Sequence, residues 1–157
     1  MLDERACCQR QPSGPVGIVK LPPKPARVVL VDDHPDLLRQ TCLLLEGEFE
    51  IVQTLHDGSR LAAVVAQFQP DLILLDIALP GINGIELATR LLADGCAAKI
   101  VFLTVHEDPD YARAAFAAGG VGYVIKSRLA SDLLRALEAV LDGRTFISPT
   151  AGLSGVL

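Results

Sequence analysis

The sequence predicts an α/β protein built on a doubly wound, five-stranded parallel sheet flanked by five helices. Three observations predict it. Short β-branched and Leu-rich runs recur between residues 26 and 143, and most are apolar throughout, as expected of strands covered on both faces. Amphipathic stretches with helical spacing separate the runs. Successive runs end in acids, a hydroxyl residue and a lysine, at the edge where such sheets collect their ligands.

The first run, Arg27 to Val31, leads into a helix whose apolar face is Leu37, Thr41, Leu44 and Leu45. Glu50 to Thr54 is the second strand, followed by a helix with Leu61, Val64, Val65 and Phe68 on one side. Leu72 to Leu75 is the third; after it Asn83-Gly84 has loop and helix-start chemistry, and Ile85, Ala88, Leu91 and Leu92 share a helical face. Lys99 to Thr104 is the fourth strand. The helix after it is an Ala-rich stretch from Pro109 to Ala118, with Asp108 as N-cap and Pro109 at the first helical position. Val121 to Ile125 is the fifth strand, entered through Gly119-Gly120, which is expected to loosen that face. The last helix carries Leu133, Leu134, Leu137, Val140 and Leu141 and ends near Asp142-Gly143. Alternation of this kind implies right-handed crossovers with helices on both sides of the sheet.

Composition sets the outer limits. The chain has 157 residues, 50% hydrophobic, with 4% aromatic residues and no Trp, so one core built from Leu, Val, Ile and Ala is expected. Five of the ten prolines fall in residues 1–25, which read as a flexible Pro-rich tail; residues 26–143 form the folded domain and 144–157 begin a linker or C-terminal tail. Cys7-Cys8 lies in the first segment and reads as exposed thiols, with acylation or redox signalling as the alternative. The formal charge is -5, and because residues 1–25 carry a net +2, the remainder carries -7. That balance argues against a surface that tracks a phosphate backbone. The four cysteines lack zinc-site spacing and disulfide-scaffold density, and no signal peptide or membrane span is visible, which points to a cytoplasmic, unexported protein with no membrane partner.

The strand ends carry the chemistry. Asp32-Asp33 follows the first strand and Asp76 the third, Thr104 closes the fourth, and the fifth runs into Lys126. Taken singly, each is an ordinary turn, cap or surface residue. Brought to one edge, three carboxylates repel and call for a cation, and oxygen-only ligands select a hard ion such as Mg2+. His34, beside the acid pair, reads as a loop or helix-entry residue, since Mg2+ does not favour imidazole.

These residues resemble the receiver domain of two-component response regulators. The resemblance rests on Val28-Val29-Leu30-Val31-Asp32-Asp33-His34-Pro35, on Pro70 to Gly81 with Asn83-Gly84, on Ile100 to Thr104, and on Gly122-Tyr123-Val124-Ile125-Lys126. It spans roughly Ala26 to Gly143, and the wording around Asp-Asp-His-Pro and Leu103 to Pro109 is most similar to receivers that precede a LuxR-type helix-turn-helix domain. The resemblance implies a flavodoxin-like strand order of 2-1-3-4-5. It implies Asp76 as phosphoacceptor from a sensor histidine kinase, with Asp33, Asp76 and the Ala78 backbone carbonyl on Mg2+. Asp32 would hold the ion directly or through water. Lys126 would meet one phosphoryl oxygen and Thr104 another, while Tyr123 rotates as the switch residue; the plainer alternative for Tyr123 is a half-buried ring with a solvated hydroxyl. The face of the fourth helix, fifth strand and fifth helix would then dock a partner or form a homodimer.

Two departures concern the lifetime of the phosphorylated state: Ala78 and His106 flank the expected path of hydrolytic water. An aspartyl-phosphatase would want an acid where Ala78 stands, and a degenerate binding module would lack the intact acid set. The chain is therefore expected to act as a signalling domain rather than an enzyme, assisting only its own phosphorylation and dephosphorylation. Two outputs stand: transcription through a DNA-binding domain outside this chain, which alone should not bind nucleic acid, or a stand-alone regulator acting by protein contacts.

Overall fold

The computed structural model describes residues 24–149, so the expectations for Cys7-Cys8, for most of the Pro-rich segment and for residues 150–157 lie outside the described residues. Six strands form one parallel sheet: β1 (Arg27–Val31), β2 (Glu50–Leu55), β3 (Leu72–Asp76), β4 (Lys99–Thr104), β5 (Gly122–Ile125) and β6 (Phe146–Ile147). Their order across the sheet is β2-β1-β3-β4-β5-β6, the expected order with one strand added beside β5. Five helices connect them: α1 (Pro35–Leu45), α2 (Leu61–Phe68), α3 (Gly84–Ala93), α4 (Pro109–Ala117) and α5 (Leu129–Leu141). A short antiparallel hairpin, Ala78–Leu79 with Ile82–Asn83, lies between β3 and α3.

The apolar runs are unbroken because alternate residues of each strand enter different cores. Val29, Val31, Ile73, Leu75, Phe102 and Tyr123 face α2, α3 and α4. Val28, Leu30, Leu72, Leu74, Val101 and Val124 face α1 and α5. Burying an aliphatic side chain of this kind contributes roughly 1.5–3 kcal/mol, and the central strand β3 is buried at all five positions. On α1 the buried residues are Leu38, Thr41 and Leu45, so the inward face centres one residue further along than the expected Leu37 and Leu44. The caps agree with the sequence: Asn83 accepts the Ile85 amide at 2.7 Å and Asp108 the Asp110 amide at 2.8 Å, with Pro109 opening α4.

The sixth strand corrects the reading of Arg144 to Pro149 as linker. Gly143 adopts φ +84, and the Arg144 amide reaches back to the Ala139 carbonyl at 2.9 Å, closing α5 and reversing the chain. Phe146 and Ile147 then pair with Gly122 and Tyr123. Two residues are too few to show a period, so periodicity could not reveal this strand.

Gly119-Gly120 also has a different meaning from the one expected. A Cβ on Gly120 would sit 2.5 Å from the Phe102 ring, and one on Gly119 2.3 Å from Leu92. Gly120 permits close packing of Phe102 beneath the entry to β5, and Gly119 supplies the φ of +102 that the turn needs.

Candidate functional site

The carboxyl ends of β1, β3, β4 and β5 bring the predicted residues together. Asp32 follows β1 directly, its amide bonded to the Leu55 carbonyl at the end of β2 (3.0 Å). Its Oδ1 accepts the His34 amide at 2.9 Å, an Asx turn that starts the chain toward α1. Asp76 ends β3, and its Oδ1 accepts the Ala78 amide at 3.1 Å. Ala78 is thereby held at the base of the hairpin. Gly84 makes this approach possible, because a Cβ there would lie 2.1 Å from the Asp76 carbonyl oxygen.

Lys126 leaves β5 in a 3-10 turn, Lys126–Arg128. Its Nζ lies 2.8 Å from Asp32 Oδ2 and 3.0 Å from Asp76 Oδ2. Asp32 and Asp76 are each 2% exposed, whereas Asp33 is partly open to solvent. Two buried carboxylates thus share one ammonium, with a third carboxylate at the rim. Burial pushes the Asp76 carboxyl above its ordinary range; the Lys126 contact opposes that shift and the Asp32 charge adds to it.

His34 stands at the helix entry expected of it, with its ring turned toward the acids. It is the N-cap position of α1 without a side-chain cap bond, and its Nδ1 lies 3.2 Å from Asp32 Oδ1 and 3.1 Å from Asp33 Oδ1. Among the described residues, Asp32, Asp33, His34 and Asp76 are a group whose ligand atoms all lie within 4.8 Å of one another. Asp32 Oδ2, Asp33 Oδ1 and Asp76 Oδ2 are buried, with the one Lys126 ammonium shared by the first and last and the His34 ring beside Asp33 Oδ1. Buried oxygens left in this condition are costly unless a further positive charge meets them. The residues present therefore fit a hard divalent cation.

Thr104 is buried at the end of β4, and its Oγ1 accepts the His106 amide at 3.0 Å. Tyr123 is neither half-buried nor solvated at its hydroxyl: the ring is fully buried and the hydroxyl donates to the His106 carbonyl at 2.8 Å. Burial pushes the phenol up to about 12, with the nearby Thr104 hydroxyl opposing the rise. The His106 ring stacks on Tyr111 with centroids 3.9 Å apart and planes 5° from parallel, a contact that no local pattern announced. Beside Lys126 a groove of about 450 Å³ opens between His34, Leu37, Gln40 and the exposed Val105.

A parallel sheet whose ends gather two buried acids, a third at the rim, a hydroxyl and a bridging lysine defines a doubly wound α/β domain with a strand-edge charge centre. Comparison with known proteins gives the class its name. Residues 28–138 match the response regulator receiver domain, and the chain belongs to that family. The chain is 33% identical over 126 residues to the transcriptional regulatory protein DegU of Brevibacillus brevis, covering 78% of this chain and 53% of that protein. It is 35% identical over 132 residues to a putative transcriptional regulator of Pseudomonas aeruginosa, covering 83% and 63%. Among solved structures, a LuxR-family two-component response regulator from Aurantimonas sp. SI85-9A1 is 35% identical with a TM-score of 0.76, covering 80% of this chain and 91% of that one. The receiver domain of the response regulator NarL from Mycobacterium tuberculosis is 25% identical with a TM-score of 0.73, covering 78% and 100%. The chain spans between half and two thirds of the length of these two curated relatives. Among the described residues no helix is long and apolar enough to cross a membrane.

Proposed function

We infer that this chain is a phosphorylation-dependent switch in which Asp76 accepts a phosphoryl group from a sensor histidine kinase. The observation that carries the reading is the pair of buried carboxylates, Asp32 and Asp76, that share the single ammonium of Lys126 with a third carboxylate, Asp33, at the rim. Such a site is charge-frustrated at rest and gains from a cation and a group rich in acceptor oxygens.

In the step itself an Asp76 carboxylate oxygen forms a bond to phosphorus while the phosphorus–nitrogen bond of a phosphohistidine breaks. The nitrogen keeps the electron pair and takes up a proton. Phosphoryl transfer asks the protein mainly for position and charge neutralisation. Asp32, Asp33, Asp76 and the Ala78 carbonyl would hold Mg2+, which supplies positive charge opposite the transferring oxygens. Lys126 pairs with one phosphoryl oxygen as a point charge, and the Thr104 hydroxyl turns from the loop to another. Turning Thr104 disturbs the loop whose His106 carbonyl receives the Tyr123 hydroxyl, so the charge change reaches the face of α4, β5 and α5. Ala78 and His106 flank the approach of hydrolytic water and set how long the acyl phosphate lasts.

The kinase docks over the groove beside Lys126, where the exposed Val105 offers an apolar contact. The output is transcription through a DNA-binding region outside this chain, a reading supported by the transcriptional regulators among its relatives. Homodimerisation through the α4, β5 and α5 face accompanies the switch.

Intact-mass analysis after incubation with Mg2+ and acetyl phosphate tests the core of this reading. One phosphoryl adduct is expected in the natural chain and none in Asp76→Asn. An adduct of equal yield in Asp76→Asn would overturn the assignment.

A further inference from the structure

Asp132 is fully buried in the first turn of α5, yet it lies outside the strand-edge cluster and the proposed chemistry does not use it. Its neighbours are Arg128 in the turn below Lys126, Ser131 beside it in α5, and Ser148 just past β6. Arg128 Nε donates to Oδ2 at 2.9 Å and Arg128 Nη2 to Oδ1 at 3.3 Å. The Ser131 hydroxyl lies 3.0 Å from Oδ1, and the Ser148 hydroxyl is near enough to the same carboxylate to help hold it below the ordinary range.

Ser148 is equally buried and works in two directions. Its Oγ accepts the Ile125 amide at 3.0 Å, and its own amide donates to the Tyr123 carbonyl at 2.9 Å. Lys126 therefore sits in a turn held at both ends, by Ser148 on Ile125 and by Asp132 on Arg128. A helix position facing the core is usually apolar, and an ionised carboxylate there is tolerated only when fully paired. What the pairing holds in register is Lys126, which bridges Asp32 and Asp76.

We propose that Asp132 and Ser148 are positioning residues for Lys126, and that through them engagement of Lys126 is transmitted to the segment leaving the sheet after β6. The proposal rests on the phosphoacceptor reading for what engages Lys126; the placement of Lys126 stands on geometry alone. Ser148 is the joint, since its hydroxyl and amide hold Ile125 and Tyr123 of β5 while the Asp132 carboxylate of α5 lies beside that hydroxyl, and it is followed directly by Pro149.

The test uses the full chain, labelled with 15N. On addition of Mg2+ and beryllofluoride, the amide resonances of Phe146 and Ser148 shift together with those of Thr104 and Lys126. In Ser148→Ala the rate of adduct formation from acetyl phosphate falls about tenfold while Mg2+ affinity stays within about twofold, because the acids are anchored elsewhere. Ser148→Thr, which keeps the hydroxyl, restores the rate, and Asp132→Asn reproduces the loss. A natural rate in Ser148→Ala, an equal loss of Mg2+ affinity, or stationary Phe146 and Ser148 resonances would each overturn the proposal. A donor-free measurement separates the two readings: the Lys126 ζ-15N resonance moves in Ser148→Ala, and if it does not, the positioning role falls whatever the natural chain does with a phosphodonor. If that resonance moves but the natural chain forms no adduct, the phosphoacceptor reading falls instead.

Discussion

Tyr123 shows how much a single side chain depends on its surroundings. Its ring is wholly inside, and its hydroxyl has a protein partner in the His106 carbonyl, so the phenol stays protonated across the physiological range. Tyr123→Phe keeps the buried ring and removes one neutral hydrogen bond. A loss of about 1 kcal/mol in urea unfolding is expected, with the freed His106 carbonyl making the β4–α4 loop exchange faster with solvent; unchanged exchange there would contradict the described bond. Asp132 gives the pH dependence. Burial raises its carboxyl, but hydrogen bonds from Arg128, Ser148 and Ser131 together outweigh burial and leave it below the ordinary range. A carboxyl lowered by folding stabilises the protein above its unfolded value, about 4, and that contribution is lost as pH falls through the folded value. Between pH 5 and pH 3, on denaturant unfolding, Asp132→Asn is therefore expected to lose less stability than the natural chain, and parallel losses would refute the assignment.

At the scale of elements, the register of the strand ends is what makes a site. β1 and β3 pair so that Val31 lies beside Leu75, which sets Asp32 beside Asp76. The start of α3 then packs against the end of β3, with the Gly84 amide donating to the Ile77 carbonyl at 2.7 Å. A methyl group at Gly84 meets backbone atoms of Asp76 and Ile77, which cannot swing aside as a side chain would. Gly84→Ala is expected to cost at least about 2 kcal/mol, the range of overpacking, and to weaken Mg2+ binding by moving Asp76. A calorimetric titration matching the natural chain would show that α3 accommodates the methyl. The elements themselves were largely legible, since each of the five longer strands and helices has either a continuous apolar run or a helical stripe. β6 was not, because its two residues are defined by pairing to β5 and carry no pattern of their own.

For the molecule as a whole, three carboxylates meet where the sheet ends. A cation that binds the folded chain and not the unfolded one raises stability by about 2.7 kcal/mol at a hundred times its dissociation constant. Mg2+ is expected to raise Tm in a concentration-dependent way, a chelator to reverse the rise, and Asp33→Asn to abolish most of it; a Tm indifferent to Mg2+ would refute the cation fit. What the sequence by itself determined was the layered α/β plan, the caps at Asn83 and Asp108, and the set Asp32, Asp33, Asp76, Thr104 and Lys126. These are local facts: periodicity and residue chemistry act within a turn or a strand. Packing between layers alone sets the His34 ring against the acids, points Tyr123 inward onto the loop, makes Gly120 a packing requirement, and ties Ser148 to β5 behind Lys126. Each of those depends on contacts between residues far apart in the chain, whose distances are set by how the layers pack and are written in no single segment.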